Sequence, residues 1–205
     1  MPQIPFDPRE LEWQRRYEEQ DTPWDKGGAA PPLMHYLDRY DIKGRVLVPG
    51  CGRGHDVRAL VSRPDCTAIG LDLSPMAVAD AQKIPFETGG SSSASFIAGD
   101  FFALDPSLYG TFDWLVEHTC FCAIDPALRP DYVASAAKAL RPGGKIFAIF
   151  FMNPDADAGP PFGSEKQELD ALFGPAFANL EEWVPEVSFP GREKRELVRI
   201  LRKKH

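Results

Sequence analysis

The chain has 205 residues, 43% of them hydrophobic and 26% charged, with a net charge of −7. This length holds one sizeable core and is short for two full domains. The acidic balance excludes an electrostatic footprint for nucleic acid or an anionic membrane, and the one basic cluster, Arg192 to Lys204, reads as a solvated face interrupted by Glu193, Glu196 and apolar residues. No apolar run reaches the length of a membrane span, and the acidic N-terminal stretch does not read as a signal peptide. Four cysteines, Cys51, Cys66, Cys120 and Cys122, are too sparse for a disulfide framework, so reduced thiols and a cytoplasmic protein are expected.

In chain order, residues 8–20 predict a helix that opens on Pro8 and carries Leu11, Trp13 and Tyr17 as its large side chains. The break TPWDKGGAAPP follows, then a second helical piece over about 33–40. From there strands alternate with helices. Val46–Val48, Thr67–Leu71, Ser95–Ala98, Phe112–Glu117 and Lys145–Phe151 are the expected strands. His55–Ser62, Pro75–Lys83 with Ser74 as its N-cap, and Pro126–Leu140 closed by RPGG are the expected helices. GGSSSA at 89–94 reads as a flexible connection. Glu165–Phe173 adds a helix, and the last thirty or so residues supply two more strands, the final one near Glu196–Arg202. The alternation implies right-handed crossovers and a mostly parallel sheet of seven strands with helices on both faces. One domain is expected, with 1–40 as an N-terminal lid segment and 41–205 as a Rossmann-like α/β core.

Three marks in this order point to a bound nucleoside. The stretch VLVPGCGRGHDV ends an apolar strand in Gly50, Gly52 and Gly54. Glycines there let the backbone approach a ligand, at the strand ends where such folds bind. The dinucleotide pattern G-x-G-x-x-G is not met, because His55 stands at its third place and Gly54 comes one residue early. The spacing G-x-G-x-G is that of S-adenosylmethionine (SAM)-dependent methyltransferases, which bind a nucleoside without a pyrophosphate. Asp72, in IGLDLS, follows Gly50 by about twenty residues, the place of a ribose-binding carboxylate. Asp100, in AGDFF, follows the next strand, where a carboxylate commonly receives the adenine amino group beside an aromatic ring.

With these residues in view, the chain resembles the thiopurine S-methyltransferase-like family, and especially its halide/thiol methyltransferase branch. TPWDKG (22–27), VLVPGCGRGHDV (46–57), GLDLS (70–74), GDFF (99–102), FCAIDPALRP (121–130) and GPPF (159–162) carry the resemblance. It implies a class I SAM-dependent methyltransferase, with S-adenosylhomocysteine (SAH) as product and a small thiol, thiopurine, hydrosulfide or halide as acceptor. It also implies an aromatic N-terminal cover over the cofactor, matched by Trp13, Tyr17 and Trp24, the second of which is usually Trp. The remaining cofactor contacts it implies are Gly50, Cys51 and Gly52, then Asp72 and Leu73, then Asp100, Phe101 and Phe102, and Glu117 and His118 at the end of the fourth strand. His118 stands where the family carries a cofactor-contacting Arg or Tyr. Trp13 and Tyr17 share a helical face by their spacing, which packing against the body explains equally well.

HTCFC (118–122) lacks the second ligand pair that a zinc site needs, and transfer from SAM needs no enzyme-bound intermediate on Cys120 or Cys122. No catalytic base is assigned, although Glu117 and His118 lie at a strand end suited to orient or deprotonate a thiol. A monomer is the default expectation. The alternatives are a SAM enzyme for another small molecule, a non-catalytic SAM-binding protein and, disfavoured by His55, an NAD-dependent oxidoreductase.

Overall fold

The computed structural model describes residues 8–40, 42–86, 93–154 and 159–205. Positions 89–92 of the Gly/Ser stretch, the side chain of Leu11 and residues 155–158 lie outside that description. Helices α1 (Pro8–Glu18) and α2 (Pro31–Leu37) precede the alternating part: β1 (Gly44–Pro49), α3 (His55–Val61), β2 (Cys66–Asp72), α4 (Pro75–Lys83) and β3 (Ala94–Ala98). There follow β4 (Phe112–His118), α5 (Arg129–Ala139), β5 (Leu140–Phe151), α6 (Lys166–Phe173), β6 (Phe177–Trp183) and β7 (Glu196–Lys203). Among the described residues no helix is long and apolar enough to cross a membrane.

The seven strands form one sheet in the order β3-β2-β1-β4-β5-β7-β6. β7 is antiparallel to both of its neighbours and every other pairing is parallel, so β7 alone is reversed. Strands buried on both faces need apolar side chains at successive positions. β5 shows this directly: Ile146, Ala148 and Phe150 enter the layer of α5 and α6, while Phe147 and Ile149 enter the layer of α2 and α3. The strand order reverses between β1 and β4, which opens a crevice at their carboxyl ends.

Local chemistry sets most boundaries. Ser74 caps α4 through its side chain, which accepts from Ala77 N, and Pro75 begins the helix. Glu165 and Glu168 form a capping box on α6. Three expectations need correction. The second helix lies at 31–37, because Pro31 and Pro32 start it rather than precede it. The stretch 126–140 divides into a 3₁₀ turn (Pro126–Leu128) and α5. RPGG does not separate helix from strand: pairing with β4 resumes at Leu140, and the register shifts between Phe112 and Trp114, with Gly143 at φ +73°. The glycines there make a bulge within a strand.

Candidate active site

The crevice is built around the turn after β1. Gly50 and Gly52 have φ of +60° and +52°, and Gly54 caps α3 in the left-handed region at +75°. The turn is tied to β2 by Cys51 N, which donates to Leu71 O at 3.1 Å, and by Gly52 N, which donates to Asp72 Oδ2 at 2.8 Å. Ser74 N donates to the other oxygen, Oδ1, at 2.9 Å. Burial pushes the Asp72 carboxyl up against the lowering effect of backbone N–H groups, those of Ser74, Gly52 and Leu73. A carboxylate offers about four acceptor positions, so one remains after those bonds. A Cβ placed on Gly52 would meet only the Tyr17 hydroxyl within 4 Å, at 3.1 Å, so the backbone here faces the crevice.

The N-terminal aromatics close the crevice from above. Trp24 lies edge-on to both Trp13 and Tyr17, with ring centroids 5.3 and 5.8 Å apart, and its Nε1 donates to Tyr17 Oη at 3.3 Å. Arg16 sits over Trp24 at 4.5 Å. Tyr17 is buried, and burial, with the Asp72 charge behind it, pushes its phenol well above the usual range. α1 also reaches the polar groups of the neighbouring strands. Gln14 Oε1 accepts from Ser74 Oγ and Met76 N at 2.9 and 3.0 Å, and Arg9 pairs with Asp100 Oδ2 at 2.7 Å.

Adjacent residues of the expected site part company. Asp100 caps a short 3₁₀ turn by accepting from Phe102 N, and Phe102 lies under the Arg9 guanidinium at 5.0 Å. Phe101 turns inward and packs on Tyr132 at 5.1 Å. At the end of β4, His118 lines the crevice beside Gly50, Thr119 and Phe189. Glu117 points to the other face of the sheet. Its Oε1 accepts from Phe121 N at 2.7 Å and its Oε2 accepts from the Tyr132 hydroxyl, so it pins the 119–122 turn rather than facing a ligand. That turn is bound in turn to the GPPF segment through Phe162 N and Cys122 O at 2.7 Å, and Arg129 fixes the segment by donating to Gly163 O at 2.9 Å. Burial pushes Cys120 well up and Cys122 to about 12, which keeps both as thiols.

Burial also pushes Glu117 up to about 7. A carboxyl raised on folding from its unperturbed 4.5 binds its proton more readily in the folded chain, so this group's contribution to stability falls as pH rises from about 4.5 to about 7. Glu117→Gln is therefore expected to gain on the order of 1–3 kcal/mol relative to the parent between about pH 5 and pH 8. Urea denaturation at the two pH values measures it, and a difference independent of pH would contradict the buried carboxyl's role.

Sequence reasoning passed over several residues here. Arg192 and Arg199, expected on a solvated face, are buried at 8% and 1% exposure. Arg199 pairs with Glu182 at 2.7 Å and Asp170 at 2.8 Å, and Arg192 with Glu196 at 3.5 Å. Asp25 binds Arg53 and His55 at 2.7 and 3.1 Å, joining the N-terminal segment to the glycine turn. Asp56 and Phe189 also face the crevice. Asp56 stood inside the quoted GHDV motif; nothing in the local sequence marked the others.

A glycine turn at the first strand, a buried carboxylate at the second and a crevice at the point of reversal define a class I SAM-dependent methyltransferase fold. Solved structures agree. The Burkholderia thailandensis 1,6-didemethyltoxoflavin-N1-methyltransferase, solved with its substrate and SAH, aligns with a TM-score of 0.74 over 96% of this chain and 88% of that one, at 20% identity. An enzyme that converts a disulfide into a thioacetal in echinomycin biosynthesis aligns with a TM-score of 0.77 at 18% identity, over 96% and 92% of the two chains. The family model described as Thiopurine S-methyltransferase (TPMT) matches residues 9–202, and the chain belongs to this family. Thiocyanate methyltransferase 1 of Arabidopsis thaliana is 37% identical over 168 residues, covering 80% of this chain and 71% of that protein. Thiopurine S-methyltransferase of Xanthomonas campestris pv. campestris (strain 8004) is 30% identical over 176 residues, covering 79% and 80%. The chain is a SAM-dependent methyltransferase.

Proposed function

We propose that this enzyme transfers the methyl group of SAM to a small soft nucleophile, a thiol, thiopurine, hydrosulfide, thiocyanate or halide. The observation that carries the reading is the narrow crevice between the Gly50–Gly52 turn, the Tyr17–Trp24 cover and His118, which leaves room for a small acceptor beside the glycine backbone. The residues present fit the cofactor: Asp72 keeps a free acceptor position for a ribose hydroxyl, Asp100 stands at the adjacent strand end for adenine, and Gly52 carries no side chain into the space. When bound, SAM supplies an electrophilic methyl on a sulfonium.

The chain's own part is to align and to exclude water. Holding acceptor and methyl in line contributes about 7–11 kcal/mol in well-oriented systems. The aromatic cover strips water from an anionic acceptor and strengthens its interactions with the site. A thiol of pKa about 8.5 is already a few per cent ionised at neutral pH. We take residues 1–40 as a lid on a single-domain core of 41–205, and the protein as a cytoplasmic monomer without nucleic-acid partners. Its four cysteines are free thiols and its net charge is −7, which support that placement.

The decisive test is product mass after incubation with SAM and each of a panel of thiols, thiopurines, thiocyanate and iodide; turnover of an amine or carboxylate alone would overturn the acceptor class. For the cofactor site, Asp72→Ala is expected to weaken SAH binding by about 1.5–3 kcal/mol, as when a charge-assisted hydrogen bond is lost. Calorimetry that finds unchanged affinity in the folded variant would remove Asp72 from the site.

A further inference from the structure

The imidazole of His118 is gripped from two sides by groups that cofactor binding leaves unused. Nδ1 lies 2.8 Å from Asp56 Oδ2, and Nε2 lies 3.3 Å from Arg192 Nη1. Phe189 stacks on the ring at 6.2 Å with planes 21° apart. An arginine only donates, so Nε2 is the accepting nitrogen, and Nδ1 carries the proton and donates it to Asp56. Ala30 N donates to the other oxygen of Asp56 at 2.7 Å. Burial raises the Asp56 carboxyl, and the His118 imidazole with the Ala30 N–H more than offsets this, leaving it below the usual range. The two contacts fix the orientation of the ring, with Nδ1 on Asp56 and Nε2 facing the Arg192 guanidinium, which lies behind the crevice lining.

Thr119, directly after it, has a φ of +65°, a strained backbone for a β-branched residue and one that re-aims the chain at the strand end. The charged groups about the imidazole come from every neighbouring element. They are Asp56 and His55 of α3, Arg192 with its partner Glu196, Asp25 and Lys26 of the lid segment, Arg53 of the turn, and Glu117 on the far face of β4.

We propose that Asp56, His118 and Arg192 form the acceptor end of the site: His118 Nε2 takes the proton of a thiol acceptor, and Arg192 holds the resulting sulfur anion or an acceptor that arrives already charged. This rests on the reading that the acceptor is a small soft nucleophile, and it names what each kind of acceptor needs. A thiol replaces Arg192 as the partner of Nε2, and the guanidinium turns its N–H to the sulfur. The S–H bond breaks and its proton passes to Nε2, giving an imidazolium that Asp56 stabilises. The freed electron pair on sulfur forms the new S–C bond as the sulfonium–methyl bond breaks, that bond's pair staying on the departing thioether sulfur. The proton then leaves His118 for solvent. Iodide and thiocyanate carry no proton, so they need Arg192 and not the base. His118 is the catalytic residue, and Asp56 is a positioning residue that fixes its tautomer.

The test compares an aliphatic thiol with iodide and thiocyanate. His118→Gln is expected to lower kcat/KM for the thiol on the order of a hundredfold more than for iodide. The difference between the thiol and iodide pH profiles seen in the parent is expected to vanish in that variant. Asp56→Asn, which keeps the shape, is expected to shift the same ratio in the same direction, and it serves if His118→Gln does not fold. Arg192→Met is expected to raise the KM for both anions, and to weaken thiocyanate binding to the SAH complex, read by calorimetry without turnover, by roughly tenfold. A parent enzyme that methylates none of the three acceptors overturns the acceptor reading and this inference with it. A parent that methylates them, with variants that slow thiol and anions equally and bind thiocyanate unchanged, overturns this inference alone.

Discussion

Gly50→Val is expected to abolish SAH binding and to destabilise the protein by about 2–5 kcal/mol. The sum comes from two terms. A left-handed residue with a Cβ costs about 1–2 kcal/mol, and more when β-branched; overpacking a filled space adds about 1–3 kcal/mol. The space is filled because a Cβ on Gly50 would lie 2.8 Å from Cys120 Cβ and 2.9 Å from its Sγ. The obstruction therefore comes from the 119–122 turn rather than from the ligand's own volume, and the cofactor is lost because the turn after β1 must move. Gly52 is the position whose side chain would enter the crevice itself. The two causes at Gly50 separate cleanly. Gly50→Ala combined with Cys120→Gly relieves the clash and leaves the φ of +60°, so part of the stability lost in Gly50→Ala should return. Urea midpoints measure the stability and calorimetry with SAH measures the binding. A Val variant that binds SAH like the parent would show the loop to be a turn and nothing more.

The strands of the core were legible because parallel strands covered on both faces must be apolar at successive positions, as 145–151 is. The glycine turn and Asp72 were legible because backbone approach to a ligand and a carboxylate at the next strand end leave marks at fixed spacing. What failed followed from geometry that spacing does not carry. Arg192 sits among Glu193, Lys194 and Arg195, and such a run reads as solvated. Only the path of the chain between β6 and β7 carries it against Glu196 and His118. One misplacement was avoidable. Side chains alternate along a strand, so Glu117 and His118 at the end of β4 could not both face the crevice, although the unbroken apolar run Trp114 to Val116 does not say which would. In the structure His118 shares the crevice face and Glu117 supports the following turn. The RPGG stretch misled for a different reason: its glycines serve a register shift within the sheet, which resembles a chain reversal when read locally.

Deletion of residues 1–26 is expected to leave a folded protein that has lost nearly all methyl transfer. Folding should survive because, among the described residues, neither buried cluster flanking the sheet draws on a residue before Ala30. The contacts of α1 include Arg9 on Asp100, Gln14 on Ser74 and Met76 N, and Tyr17 over the Gly52 backbone, all at the crevice. The loss of Asp25 leaves Arg53 its pairing with Asp80 at 3.6 Å, and both Arg53 and His55 are partly exposed, so its cost is modest. Activity should fall a hundredfold or more, on the order expected when reacting groups lose their alignment, and the open crevice admits water that a closed one excludes. SAH should still bind through Asp72 and Asp100, more weakly. If Asp100 receives adenine as proposed, the Arg9–Asp100 contact has to open for the cofactor, and α1 would then lift and settle again in each cycle. In the full chain this predicts slower tryptic cleavage at Arg15, Arg16 and Lys26 once SAH is present. Equal cleavage with and without SAH would mean that the segment is not a cofactor cover, and a truncated chain that fails to fold would place Trp13, Tyr17 and Trp24 in the core.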